Sequence, residues 1–127
     1  MSDLTADHPV VFVNAIEIPS NQVDGFIAGW CDRADFMRHQ PGFRDYRLLR
    51  AVMPDSGFQL INVARWDSQE AFGTATADPE FRAALQALND NPDFHVTPNP
   101  GLYRVALQAQ NASVDMSPTA ADSGGPR

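Results

Sequence analysis

Two strand-like stretches flank Pro54-Asp55-Ser56-Gly57 and leave the chain few alternatives to an antiparallel hairpin. Residues 43–53 and residues 58–66 are rich in aromatic and branched apolar side chains, which favour extended structure. The segment between them predicts a turn, because Pro fixes φ, Asp and Ser bond to nearby backbone, and Gly accepts positive φ. We therefore predict that both stretches are strands and that they pair with each other.

A long amphipathic helix precedes this hairpin. Apolar residues recur at three- and four-residue steps over residues 23–37, which is the period of a helix that buries one face. Ser20 is predicted to cap its N-terminus, and Pro41-Gly42 is predicted to end it. Cys31, the only cysteine, lies at the edge of the apolar stripe and is therefore expected to be a buried structural thiol.

Further elements follow the hairpin and complete the order of the fold. Asp67 is expected to cap one short helix, and Asp78, followed by Pro79, is expected to cap another. Residues 10–18 and residues 102–107 are predicted to form the first and last strands. The order β-α-β-β-α-α-β is typical of a ferredoxin-like α+β fold, a split βαβ arrangement with its helices on one face of the sheet.

The strands over residues 10–18 and 58–66 are largely apolar on both faces, although the helices of this fold cover only one. A monomer would leave a large apolar patch on the other face, and such patches usually mark interfaces. We therefore expect a homodimer in which two sheets pack face to face.

Length and composition fit one small domain with a polar tail. The chain has 127 residues, and we expect residues 1–107 to form a single domain and residues 108–127, rich in Ala, Ser, Gly, Pro and Asp, to be disordered. The short acidic N-terminus lacks the features of a signal peptide, so a cytoplasmic protein is expected. A formal charge of −7 argues against nucleic acids and anionic membranes as partners.

One face of the third strand carries an unusual set of side chains. Leu60, Asn62, Ala64 and Trp66 point the same way, because side chains alternate along a strand. An amide and an indole on one otherwise apolar face are typical of the floor of a ligand cavity. The alternative is a core strand whose Asn bonds to neighbouring backbone. The pattern alone leaves both interpretations open.

Three short motifs connect these elements to a known family: Pro41-Gly42-Phe43, Asn62-Val63-Ala64-Arg65-Trp66 and Ser68-Gln69-Glu70-Ala71-Phe72. In this order they resemble the antibiotic biosynthesis monooxygenase family, whose members are small dimeric α+β barrel proteins. The resemblance covers residues 10–107. It implies the same fold and the same dimer.

Two branches of that family imply different chemistry. The haem-degrading branch resembles this chain at Asn14, but the positions of its Trp and of its His ligand hold Ala75 and Leu85. Without an imidazole the usual axial iron ligand is missing. We therefore expect neither a metal site nor haem degradation.

The cofactor-free branch oxidises aromatic polyketide anthrones to quinones with O2, and the chain resembles it at Asn62 and Trp66. This resemblance implies catalytic roles for both: Asn62 donates to the substrate oxygen, and Trp66 stacks on the substrate or donates through its indole N–H. A Tyr used by some of these enzymes is Phe72 here. No cofactor is implied. Further expected substrate contacts are Asn14, Trp30, Phe72 and His95.

The sequence leaves open the roles of several charged residues and the class of activity. His95 is expected to be either a base at the cavity mouth or a surface residue, and His39 is expected to interact with the C-terminal dipole of its helix. Arg47 and Arg50 are expected to pair with acidic neighbours rather than with substrate. The second functional class is a non-catalytic binding or stress-associated protein of the same fold, or a polyketide-tailoring enzyme that does not consume O2.

Overall fold

The computed structural model describes residues 8–111, which form four strands and three α-helices. In chain order the elements are β1 Val10–Glu17, α1 Val23–Arg38, β2 Phe43–Arg50, β3 Leu60–Trp66, α2 Gln69–Thr76, α3 Pro79–Asp90 and β4 Thr97–Tyr103. Residues 108–111 have no regular structure, and the rest of the predicted disordered tail lies outside the described residues. Within residues 8–111, no helix has both the length and the apolar character that crossing a membrane requires.

The strands form one antiparallel sheet in the order β2-β3-β1-β4, as the ferredoxin-like prediction requires. The predicted β2–β3 hairpin is confirmed, but β2 ends at Arg50 rather than at residue 53 and β3 begins at Leu60 rather than at residue 58, so the connecting loop is longer than the predicted turn. Across the central pair, Val10 lies opposite Trp66, Asn14 opposite Asn62, and Ile16 opposite Leu60.

Two apolar clusters fill the space between sheet and helices, one at each end of the β1–β3 pair. One contains Ile16 and Leu60, and the other contains Val10 and Trp66. The rung formed by Asn14 and Asn62 lies between these ends. Each fully buried aliphatic or aromatic side chain contributes about 1.5–3 kcal/mol, so the two clusters account for much of the stability of the fold.

Gly42 explains the Pro-Gly-Phe motif after α1. Its φ is +87°, and an added Cβ would lie 2.5 Å from the Cβ of Ala71 in α2. The Gly42 carbonyl accepts a hydrogen bond of 2.7 Å from the backbone N–H of Asp67. Only glycine meets both demands, the left-handed backbone and the close approach of α2.

The start of α1 differs from the prediction. Ser20 begins a short 3-10 turn, Ser20–Gln22, and α1 then starts at Val23 after Gln22, which makes no side-chain capping bond. The prediction of Ser20 as the N-cap is therefore wrong. Cys31 is exposed rather than buried, as is its neighbour Asp32, because the margin of the apolar stripe borders the solvated side of α1.

Of the two predicted N-caps of α2 and α3, the one of α3 is confirmed and the one of α2 is wrong. Asp78 accepts from the backbone N–H groups of the first turn of α3, as expected. For α2, however, Ser68 is the cap: its Oγ accepts from the N–H of Ala71 at 3.1 Å. Asp67 instead forms an ion pair with Arg44 at 2.5 Å.

The last strand begins five residues earlier than predicted. β4 runs over Thr97–Tyr103, not residues 102–107, and it pairs with β1 despite Pro98 and Pro100. An edge strand tolerates proline because only one side of its backbone must bond to the sheet. This position brings both prolines opposite Ile16 and Asn14.

Candidate active site

A cavity of about 340 Å³ lies between the three helices and the middle of the sheet. Its walls are mainly apolar and aromatic, and its floor is the face of β1 and β3 that carries Asn14, Asn62, Ala64 and Trp66. The sequence left two interpretations of this face open, the floor of a ligand cavity or a plain core strand, and the structure favours the cavity. The polar or charged side chains in its lining are Asn14, Trp30, Arg33, Tyr46, Asn62, Trp66, Thr76, Arg82 and Asn89.

Trp66 is held rigidly at one end of the cavity. It is 2% exposed, and the rings of Phe43 and Phe72 contact it edge-on with centroid distances of 5.2 and 5.7 Å. Phe72 also packs on Phe12 at 5.1 Å. Such edge-to-face aromatic contacts fix the orientation of the indole. The predicted pair Trp66 and Phe72 therefore forms one aromatic wall.

The two asparagines of the floor have different hydrogen-bond environments. Asn14 Oδ1 accepts a hydrogen bond of 2.9 Å from the backbone N–H of Asn99, so β4 holds this side chain in place. Asn62, directly opposite, is only 9% exposed, and its Oδ1 is buried without a partner. The two amides are therefore neighbours with distinct roles: one is tied to the sheet, and the other is not satisfied by the protein.

Three buried side-chain atoms lack a hydrogen-bond partner in the described part of the chain, and all three belong to residues that line the cavity. They are Trp30 Nε1, Arg33 Nη2 and Asn62 Oδ1. An unsatisfied buried polar group costs about 1–3 kcal/mol, and native proteins contain few of them. Their concentration around one cavity marks it as a place where water or a polar ligand can supply the missing partners.

Arg33 is a cavity residue that the sequence did not single out. Its guanidinium lies 5.3 Å from the centroid of Phe26 and 5.6 Å from that of Trp30, and its Nη1 donates to the carbonyl of Gly29 at 3.3 Å. Burial lowers the pKa of Arg33, and the nearby Asp32 carboxylate acts in the opposite direction. A cation within the apolar stripe of α1 was the signal that could have identified it.

The histidines lie elsewhere. His95 is exposed, does not line the cavity, and contacts Gln22 through both its backbone N–H at 2.7 Å and its Nδ1 at 2.9 Å. His39 is exposed at the end of α1, where its Nδ1 lies 2.8 Å from the Asp35 carbonyl. Arg50 pairs with Asp24 at 2.8 Å. Of the predicted substrate contacts, Asn14, Trp30 and Phe72 line the cavity and His95 does not.

The lining lacks the histidine that the haem-degrading branch of the family uses as its axial iron ligand. Leu85, the position that the resemblance assigns to the axial His, lines the cavity with an aliphatic side chain, and Ala75 is part of the buried core. None of the lining residues is His, Cys, Asp or Glu. Across residues 8–111, no group of three or more such side chains is arranged to hold a metal ion.

Comparison with known proteins gives consistent matches. The model of the family described as antibiotic biosynthesis monooxygenase matches residues 9–87. The heme oxygenase (mycobilin-producing) of Mycobacterium tuberculosis is 33% identical over 75 residues, which are 59% of this chain and 70% of that protein. The deoxynogalonate monooxygenase of Streptomyces nogalater is 34% identical over 83 residues, which are 63% of this chain and 68% of that protein. The crystal structure of SnoaB, a cofactor-independent oxygenase from Streptomyces nogalater, superposes with a TM-score of 0.66 at 28% identity and covers 82% of this chain and 99% of that one.

Proposed function

Because the chain belongs to the antibiotic biosynthesis monooxygenase family, which confirms the resemblance of its sequence motifs, we propose that it oxidises an anthrone-like aromatic polyketide to a quinone with O2 and without a cofactor. The observation that carries this proposal is the aromatic cavity whose floor holds the unsatisfied Asn62 beside Trp66. The volume of the cavity falls in the usual range of small-molecule sites, about 300–1,000 Å³. Its lining lacks the histidine that the haem-degrading branch uses as axial ligand, which favours the cofactor-free branch.

The reaction needs no group that the chain lacks. The ring CH2 of the anthrone loses a proton to water, and the resulting carbanion passes one electron to O2. The two radicals recombine into a peroxide. Its O–O bond then breaks as the second C–H proton leaves, which gives the quinone carbonyl and releases hydroxide that takes up the first proton. One substrate and one O2 thus give one quinone and one water.

In this proposal Asn62 forms hydrogen bonds with the ketone oxygen of the anthrone and with the hydroxyl beside it. A carboxamide offers two N–H donors and one acceptor oxygen. An anthrone with a hydroxyl beside its ketone presents an acceptor and a donor side by side, so it would satisfy Asn62 Oδ1 and accept from its NH2 group. This contact strengthens as negative charge develops on the ketone oxygen of the carbanion.

Trp66 and its aromatic neighbours provide the surface on which the flat substrate lies. The indole is fixed by Phe43 and Phe72, so little ordering is required when substrate binds. Because Phe72 has no hydroxyl, it supplies packing and no proton transfer. Asn14, anchored on β4, lines the same floor and adds a second polar contact.

Anthrone oxidation under air tests the proposal. We expect quinone absorbance to rise while an oxygen electrode records one O2 per quinone, and heavy-isotope-labelled O2 should place one labelled atom in the quinone. Asn62→Ala and Trp66→Phe should each lower kcat by about 10²–10³-fold, the loss typical of one transition-state contact, while Arg38→Gln on the solvent side of α1 should not. Ligand binding with no O2 uptake would instead indicate a binding protein or a non-oxidative tailoring enzyme.

We further propose that two copies pack through the face of the sheet opposite the helices, here called the outer face. Val11, Val13 and Ala15 of β1 and Ile61 and Val63 of β3 lie on it. The three helices line the cavity over the opposite face, so a partner sheet packed on the outer face would bury its apolar side chains. Analytical ultracentrifugation should therefore report a dimer.

A further inference from the structure

We propose that Trp30 and Arg33, here called the anion subsite, select substrates that carry a carboxylate on their aromatic framework. This inference rests on the proposed function and deepens it by naming the substrate class. The subsite is distinct from Asn62, which serves the reacting oxygen. Its role is specificity in binding and not the chemical step.

The two side chains both line the cavity and lie against each other. They lie three residues apart on α1, which places them on one face of the helix, and the guanidinium carbon is 5.6 Å from the indole ring. The Gly29 carbonyl accepts from Arg33 Nη1, and Phe26 packs on the guanidinium at 5.3 Å. These contacts fix the plane of the guanidinium and leave Nη2, together with Trp30 Nε1, buried without an acceptor.

The charge of the cavity is opposite to that of the protein. The chain carries a formal charge of −7, yet the charged residues in the lining are Arg33 and Arg82, both cationic. Four other arginines of the described residues pair with aspartates, whereas the cavity offers Arg33 no carboxylate. Those pairs are Arg38–Asp35, Arg44–Asp67, Arg50–Asp24 and Arg65–Asp45.

A carboxylate fits these donors better than a neutral oxygen does. A guanidinium matches the two oxygens of a carboxylate, and its hydrogen bonds to an anion are roughly twice as strong as neutral ones. The indole N–H supplies a further donor for the same anion. A neutral substrate would add no counter-charge to that of the neighbouring Asp32, so the half-buried cation favours an anionic ligand over a neutral one.

Binding of quinones tests the anion subsite independently of turnover, because a quinone is already oxidised. The probes are anthraquinone-2-carboxylate and anthraquinone-2-carboxamide, which have nearly the same shape and differ in charge. We expect the wild type to bind the carboxylate at least about tenfold more tightly, and Arg33→Gln to weaken carboxylate binding by about 10- to 100-fold. The carboxamide affinity of Arg33→Gln should stay within about twofold of the wild type.

Three further variants separate a local contact from general effects. Arg38→Gln removes the same charge from the same helix but lies outside the cavity, so it should leave both affinities unchanged. Arg33→Lys should recover part of the carboxylate preference, because it restores the charge without the planar fork. Trp30→Phe keeps an aromatic ring without the N–H and should reduce the preference by a smaller factor.

The outcomes distinguish the two proposals. Equal wild-type affinities for carboxylate and carboxamide, or an equal loss of both in Arg33→Gln, overturn the anion subsite. In parallel, O2 uptake is measured with anthrone-2-carboxylate and anthrone: in the wild type the acid should have the lower KM, and Arg33→Gln should remove that difference with little change in kcat. If neither anthrone consumes O2 while the quinones still show the carboxylate preference, the monooxygenase proposal fails and the subsite stands. A loss of kcat with both anthrones in Arg33→Gln would assign Arg33 to the reacting oxygen and overturn the subsite.

Discussion

Asn62→Leu should make the ligand-free protein more stable and at the same time inactive. Leu keeps the branching of Asn at Cγ, is the bulkier residue and brings no hydrogen-bonding group; because position 62 lines the cavity, the added bulk can extend into it. Asn62 lies on β3 between the buried Leu60 and Ala64, where an apolar side chain can pack. Its Oδ1 is buried without a partner, so removing the carboxamide abandons no bond within the protein.

The expected gain follows from the burial of that amide. An unsatisfied buried acceptor costs about 1–3 kcal/mol. Imperfect fit of the bulkier Leu side chain offsets part of this, but the cavity next to position 62 limits overpacking. We expect a net increase of about 1–2 kcal/mol in the free energy of unfolding, or about 3–10 °C in Tm for a domain of this size.

The opposite residue of the same rung supplies the matched control. Asn14 lies across from Asn62, but its Oδ1 accepts from the Asn99 N–H, so Asn14→Leu should lower stability by about 1 kcal/mol. Urea and thermal unfolding followed by circular dichroism measure both variants, and anthrone turnover is assayed in parallel. If Asn62→Leu loses stability as Asn14→Leu does, the Asn62 amide is already satisfied in the free protein and its assignment to substrate is refuted.

Three further predictions concern the scaffold. Gly42→Ala should lower the free energy of unfolding by about 1–3 kcal/mol, because the added Cβ meets both the left-handed backbone and Ala71. In Gly57→Ala the added Cβ has no atom within 4 Å, so this variant should be close to neutral, and thermal melts compare the two. The hydrogen bond from Arg65 lowers the pKa of Asp45. The pair therefore stabilises the fold fully above the normal pKa of the carboxyl group and loses its effect as pH falls through the lowered pKa of the folded protein. The Tm difference between wild type and Asp45→Asn should vanish in acid and shrink in salt. Val63→Lys on the outer face should convert the proposed dimer to monomers in analytical ultracentrifugation, and a sedimentation profile unchanged from the wild type would contradict that interface.

Local signals in the sequence were sufficient for much of the fold. The turn after residue 53 fixed the hairpin, the apolar period fixed α1, and Asp78-Pro79 fixed the start of α3. Each depends on a few neighbouring residues whose preferred backbone agrees with the final structure. β4 was misplaced because prolines normally argue against a strand, and whether a strand lies at the edge of a sheet is a property of the whole fold.

The candidate site was predictable only where its residues lie on a strand face. Alternation along β3 identified Asn62 and Trp66, and the structure shows that both line the cavity. The sequence did not identify Arg33 as a cavity residue, because a charged residue on a helix is usually solvated. The packing of α1 against the sheet is what makes its guanidinium half-buried. His95 was placed at the cavity mouth from its loop, but Gln22 holds it outside.

The separation of the two apolar clusters by the asparagine rung has a consequence for how such a chain diverges. Val10 with Trp66 at one end, and Ile16 with Leu60 at the other, hold the sheet to the helices without help from the rung between them. Substitutions at position 62 should therefore cost the fold less than substitutions at either end, although position 62 lies in the interior. Laboratory evolution toward new ligands can begin at position 62 while the two apolar clusters and the bond from Asn99 to Asn14 stay unchanged.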